Sequence, residues 1–180
     1  MFEGAMRTAL IHLVNLLVAL LPTTRLFSVK RWLWRACGVE VHEGVCVNSG
    51  ARIYGTGLVT IGANTWVGID CTFVVPFGAS VCIGAQCDIA PDVLFECGSH
   101  RIGGPERRAG EGYSCPISVG AGSWIGARVV LLGGAEIGPG SLIAAGAVVL
   151  AGVYPAQALL AGVPARVVRE FSDEKGTADV

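Results

Sequence analysis

The amino-acid sequence predicts an all-β solenoid, and three observations carry that reading. A six-residue beat runs without a gap from Val119 to Tyr154 as "VGAGSW", "IGARVV", "LLGGAE", "IGPGSL", "IAAGAV" and "VLAGVY". The same beat stands earlier as "IGANTW", "VGIDCT", "IGAQCD", "IAPDVL" and "FECGSH". Glycine, 26 of the 180 residues, is spread along the chain rather than gathered in a linker, the distribution of a repeat with one tight turn per unit.

Each unit reads as a short strand plus a corner. Its first residue is Ile, Val, Leu or once Phe, the branched or large apolar filling of a narrow shared interior. The fifth, from Thr65 and Cys71 through Ser99 and Ser123 to Val153, is small or β-branched, as a tighter space near the corner demands. Gly or Ala at the second position is expected to let the chain turn at little steric cost. Three sides close one coil. An amphipathic helix would need a 3.6-residue period, which the pattern lacks.

Residues 1–38 precede the beat. "ALIHLVNLLVALL" (Ala9 to Leu21) is apolar apart from His12 and Asn15. As a helix it reaches about 20 Å against about 30 Å of bilayer hydrocarbon, so it does not span. It also lacks the A-x-A cleavage site of a signal peptide. In "RLFSVKRWLWR", Arg25, Lys30, Arg31 and Arg35 alternate with Phe27, Trp32 and Trp34. That mixture suits a headgroup interface, hence peripheral contact with a membrane. A helix that caps the open end of the repeat or packs against another subunit is the competing reading. Residues 39–154 are assigned to the solenoid, with an extended loop at 101–116. Residues 155–180 are a tail packing on it.

Composition narrows the class. Fourteen acids against thirteen bases give a net charge of -1, which offers no electrostatic reason for a nucleic-acid partner. The seven cysteines are odd in number and form no C-x-x-C pair, so they read as reduced, buried thiols of a cytoplasmic protein.

The beat stops directly after His100, in "FECGSHRIGGPERRAGEGYSCPISVG", and resumes at Val119. Insertions at solenoid corners often build the binding face. The repeat, with "GSH", "RRAGEGYSCPI" and "WIG" (Trp124 to Gly126), resembles the hexapeptide-repeat acyltransferases, in particular their sugar O-acetyltransferases of the galactoside, maltose and colanic-acid type. The likeness runs from about Val39 through "AGVPARVVRE" (Ala161 to Glu170) and leaves the first 35 residues uncovered. It implies a left-handed parallel β-helix, acetyl-CoA as donor, no metal, and a homotrimer with active sites between subunits.

The chemistry suits those residue types. Acetyl transfer from a thioester to a sugar hydroxyl needs a base, and an imidazole of pKa near about 6.5 fits that task. His100 is the candidate catalytic residue. For the acceptor the candidates are Asp70, Glu96, Arg107 and Tyr113. Asp70 falls where galactoside-type relatives carry a sugar-contacting asparagine; when ionised it accepts hydrogen bonds but cannot donate one to an oxyanion. Glu96, Asp88 and Asp92 are candidates to orient His100. For the donor, the candidates are Trp124 on the pantetheine slot, backbone groups at Ala127 and Ala145, and Arg166 and Arg169 on the 3′-phosphate. Related enzymes have a Thr-Lys pair after the last repeats; Leu150 and Ala151 stand there in this chain.

The expected function is therefore acetylation of a sugar hydroxyl, in bacterial surface-polysaccharide assembly at the inner face of the cytoplasmic membrane. A small soluble acceptor, such as a free sugar or an antibiotic, is the alternative within enzymes. The zinc enzymes of this fold need three histidines, but His12 and His42 stand many residues from His100. A non-catalytic solenoid scaffold has no need of the histidine-led loop.

Overall fold

The computed structural model describes residues 2–171, which form two helices followed by a three-sided parallel β-helix. Helices α1 (Phe2–Leu20) and α2 (Phe27–Ala36) come first. One sheet then stacks Glu40–Val41, Leu58–Ile61, Ser80–Ile83, Ile117–Val119, Ala135–Ile137 and Gly152–Tyr154. A second stacks Cys46–Val47, Trp66–Val67, Asp88–Ile89, Trp124–Ile125, Leu142–Ile143 and Ala158–Gly162. The third holds Arg52–Tyr54, Thr72–Val74, Leu94–Glu96, Val130–Leu132 and Val148–Val149. Past Tyr154 the chain adds the strand Ala158–Gly162 to the second sheet, then folds back antiparallel as Ala165–Glu170. Residues 172–180 of the expected tail lie outside the described residues.

Stacking is in register, so each unit meets its counterpart one turn away. Val41, Ile61, Ile83, Val119 and Ile137 form one such column. First-position side chains fill the interior, and Ile61, Ile83, Ile89, Ile125, Leu131 and Ile143 are fully buried. The one aromatic unit start has a partner: Phe95 stacks on Phe73 with centroids 4.7 Å apart, and Trp34 of α2 meets Phe73 edge-on at 5.8 Å. Fifth-position hydroxyls are buried without penalty because they donate to second-position carbonyls, Thr65 Oγ1 to Gly84 O at 2.9 Å and Ser123 Oγ to Gly120 O at 2.8 Å. Two expected fifth-position residues break the rule. Ser99 and Val153 are exposed, because the chain leaves the coil at Gly98 and the last unit lies at the coil's rim.

The second-position glycines do not make the turn, contrary to expectation. Positive φ falls at the fourth position instead: Asn64, Asp70, Gln86, Asp92 and Arg128 lie at 57° to 61°, with Gly122, Gly140 and Gly146 at equivalent corners. Where the second position is glycine, the reason is want of space. A Cβ on Gly84 would lie 2.4 Å from the backbone N of Ala121 in the next coil, and one on Gly120 would lie 2.3 Å from Pro139 N. Coils touch backbone to backbone at these corners.

The helices close the coil's open end. A bare first turn would leave strand-edge groups unpaired. The Asn15 amide acts as a missing strand there, donating to Ile53 O at 2.8 Å while Ile53 N donates to Asn15 Oδ1 at 3.0 Å. Arg35 and Arg31 donate to Val41 O and Val45 O, both at 2.8 Å, and Arg7 donates to Thr56 O at 2.9 Å. Lys30 is fully buried and donates to Pro22 O and Thr23 O; burial pulls its pKa down. Of the basic residues expected at a headgroup surface, Lys30, Arg31 and Arg35 thus bind backbone carbonyls. No described helix is long and apolar enough to cross a membrane.

All seven thiols are free, but they are not uniformly buried: Cys82 is exposed on the first sheet, and Cys46 and Cys115 are half-buried. Desolvation pushes the Cys71 thiol up to about 12 and the Cys97 thiol up to about 11.

Candidate functional site

The interruption of the beat is a β-hairpin. Gly98–Ile102 pairs antiparallel with Ala109–Ser114, and residues 103–108 form its tip. It leaves the coil after the third sheet and returns at Ile117 on the first, held at its base by Cys115 N donating to Cys97 O at 3.0 Å. His100 lies opposite Gly112, and Ser99 lies opposite Tyr113. A Cβ at position 112 would come within 3.7 Å of His100 Nε2, so the missing side chain leaves room beside the imidazole.

His100 lines an open cleft of about 580 Å³ together with Pro76, Glu96, Gly98, Ser99, Gly112, Tyr113 and Ser114. Three of the sequence candidates, His100, Glu96 and Tyr113, therefore meet. Among the described residues, nothing within this chain hydrogen-bonds or pairs with the exposed imidazole. Glu96 is committed locally, its Oε1 accepting the Gly98 N–H at 3.0 Å. Tyr113 takes the Arg101 guanidinium on its ring at 5.5 Å. Arg107 stands exposed at the hairpin tip.

Asp70 is elsewhere. It sits at the corner between the second and third sheets with φ 57°, and Arg52 Nη2 donates to its Oδ1 at 3.1 Å. It lines a separate cleft with His12, Asn15, Arg52 and Tyr54. Asp88 lies on the second sheet between Trp66 and Trp124, and Asp92 faces Arg128 at 3.8 Å, so neither shares the His100 cleft.

The donor candidates gather on the second sheet and its corner. Ala127 and Ala145 stack in consecutive coils, with Gly146 N donating to Ala127 O at 2.8 Å. Arg166 lies opposite Ala161 at the same corner, and Arg169 ends the outward column Trp124, Leu142, Leu159, Arg169. At about 4.8 Å per strand that column spans roughly 14 Å. Trp124 is half exposed. Leu150 and Ala151 supply neither charge nor side-chain donor.

Sequence reading missed Pro76 and Ser114 in the cleft. The signal for Pro76 was present, since "VVPFGAS" breaks the beat one coil below the hairpin. His12 and His42 lie on α1 and beside Glu40, and among the described residues no three His, Cys, Asp or Glu side chains converge as a metal site would need.

Comparisons with known proteins agree with this architecture. Residues 116–151 match the bacterial transferase hexapeptide (six repeats) family. Over 120 residues the chain is 38% identical to the galactoside O-acetyltransferase of Escherichia coli (strain K12), covering 67% of this chain and 57% of that one. It is 34% identical over 120 residues to a putative acetyltransferase of Saccharomyces cerevisiae (strain ATCC 204508 / S288c), covering 64% of this chain and 61% of the relative. The match thus spans somewhat over half the length of these curated relatives. Among solved structures, a hexapeptide-repeat-containing acetyltransferase from Vibrio cholerae O1 biovar eltor, complexed with acetyl coenzyme A, superposes with a TM-score of 0.80 at 26% identity over 95% of this chain and 90% of that one. A galactoside acetyltransferase in complex with coenzyme A gives 0.79 at 26% identity over 94% and 82%. The coil is the left-handed parallel β-helix of hexapeptide-repeat proteins.

Proposed function

We propose, for a chain that belongs to the hexapeptide-repeat transferase family, that it transfers the acetyl group of acetyl-CoA to a sugar hydroxyl. The observation that carries this reading is His100: an exposed imidazole on a protruding hairpin, in an open cleft, with no partner among the described residues. His100 takes the proton of the acceptor hydroxyl as its oxygen adds to the thioester carbonyl. The tetrahedral intermediate collapses with loss of the C–S bond, and the imidazolium returns the proton to the departing CoA thiolate. No covalent enzyme intermediate forms. Glu96 and Tyr113, with Arg107 at the tip, are the groups offered to acceptor hydroxyls. The cleft's openness and the arm's reach favour an extended glycan, hence a role in bacterial surface-polysaccharide assembly.

The donor groups stand at another corner of the triangle. Trp124, Ala127, Ala145 and Arg166 occupy the second sheet and its junction with the third, whereas the hairpin leaves where the third meets the first. One coil therefore holds two halves that a sheet separates, and a neighbouring copy brings them together. The third sheet turns Val74, Leu94, Val130, Leu132 and Val148 outward, an aliphatic face suited to such a neighbour. A homotrimer with sites between subunits is the assembly this reading requires.

Replacing His100 with Ala tests the assignment. Turnover of acetyl-CoA with a sugar acceptor should fall by roughly 10²–10⁴-fold with the fold intact. A well-folded variant with near-wild-type turnover would remove His100 from the chemistry.

A further inference from the structure

We propose that the capped end of the solenoid is a docking surface for an anionic lipid bilayer. Helix α1 buries Ile11, Val14 and Val18 against the coil and turns Met6, Leu10, Leu13, Leu17 and Leu20 outward, at alternating spacings of four and three. Leu20 is 83% exposed. Helix α2 buries Lys30, Leu33 and Trp34 and turns Val29, Trp32 and Ala36 outward, with Trp32 66% exposed. The two stripes meet at a groove of about 540 Å³ lined by Met6, Arg7 and Leu10 on one side and Ala36, Cys37 and Gly38 on the other, with the Arg7 guanidinium donating to Cys37 O at its floor. Together they make an apolar surface with one arginine at the seam, and a patch of that kind marks an interaction site where scattered apolar residues do not.

Charge selects the occupant. Between Glu3 and Glu40 the chain has no acid, but it has Arg7, Arg25, Lys30, Arg31 and Arg35. A guanidinium that caps a carbonyl keeps its charge, since arginine stays protonated. Arg25, in the turn between Leu20 and Leu26, is exposed, and its guanidinium donates to the adjacent Thr24 carbonyl. Beyond Glu3 of α1, the acids beside this end are Glu40 and Glu43 on the first coil and Asp70 next to His12 and Asn15; Glu43 meets Arg35 at 3.6 Å and Asp70 meets Arg52 at 3.1 Å. Two copies placed end to end would bring Arg25 and its basic neighbours face to face with their own kind. Anionic headgroups neutralise the arginine charges at this end, the exposed Arg25 first among them, whereas Lys30 is buried and takes no part; Trp32 suits the headgroup level. With no described helix able to span, the helices lie in the interface plane. The proposal is independent of the acetyl-transfer reading.

Sedimentation of the full chain with vesicles tests it, comparing pure phosphatidylcholine with a mixture containing one-third phosphatidylglycerol. Wild type should bind the mixed vesicles at least about tenfold more tightly than the neutral ones, with the difference shrinking at high salt. The doubly substituted Leu13→Gln/Leu17→Gln variant should lose at least about tenfold of that binding while its circular dichroism is unchanged, since both side chains face away from the coil. Arg25→Gln should weaken only the anionic preference, and Trp32→Phe should remove most of the blue shift in emission on vesicle addition; both keep the test valid if the leucine variant misfolds. Absence of wild-type binding, or equal binding to both compositions, overturns the proposal. So does a wild-type mass twice that of the leucine variant, which would make the surface an interface between copies of this chain.

Discussion

Replacing Gly120 and Gly122 separately with alanine distinguishes two reasons for glycine in adjacent corner positions. At Gly122 φ is 71° and nothing lies within 4 Å of the added Cβ, so the cost is conformational alone. A left-handed conformation costs an L-residue about 1–2 kcal/mol, and the stiffer unfolded chain returns about 0.4–1 kcal/mol, leaving a net loss near 1 kcal/mol. Asn64, Gln86 and Arg128 already hold that conformation at equivalent corners. At Gly120 the new Cβ would lie 2.3 Å from Pro139 N and 2.6 Å from its Cα, backbone atoms that cannot rotate away. Relief means prying the coils apart where Gly120 N donates to Ile137 O and Gly140 N to Ala121 O, both at 2.8 Å. Overpacking of about 1–3 kcal/mol plus weakening of two bonds worth about 0.5–1.5 kcal/mol each gives a loss near 3 kcal/mol. For a chain of this size, thermal unfolding should shift by roughly 2–4 °C for Gly122→Ala and roughly 6–12 °C for Gly120→Ala. Equal shifts, or a neutral Gly120→Ala, would refute the claim that coil-to-coil approach dictates the second position.

Arg166→Ala should raise KM for acetyl-CoA at least about tenfold, near 1.4 kcal/mol, yet matter little with dephospho-acetyl-CoA; equal losses with both donors would mean that Arg166 only holds the terminal strand. Asn15→Leu should destabilise the chain by about 1–3 kcal/mol, read by denaturant unfolding, because it leaves Ile53 N and O without partners; an unchanged midpoint would deny Asn15 its capping role. A thiol reagent should label Cys82 within the native state while sparing Cys71 and Cys97, followed by mass spectrometry. Those two buried thiols have folded pKa values raised to about 12 and about 11, above the ordinary 9.0. The fold therefore holds their protons: this contribution to stability is complete below about pH 9 and is lost as pH rises through about 11 to 12. Unfolding midpoints that stay flat across that alkaline window would contradict it.

The sequence alone determined the solenoid, because burial at the first and fifth positions recurs every six residues and a one-dimensional stack repeats the same local demand at every turn. Ile89, Ile125 and Ile143 read as core from the pattern, and they are. The place of His100 at the start of the protruding segment was also legible, since an interruption is visible only against a regular beat. What a period cannot report is which atoms of neighbouring turns touch. Glycine at the second position looked like a turn residue, but its role is the approach of Ala121 or Pro139 from the next coil. The jobs of Arg31, Arg35 and Lys30 were equally hidden, because composition shows charge and not the carbonyl each one meets. Only the tertiary structure showed that within one chain Asp70 lines a different cleft from His100, whereas Glu96 and Tyr113 share its cleft. Corners adjacent in the chain stand on different edges of a triangle, and residues far apart in sequence share an edge when whole coils lie between them.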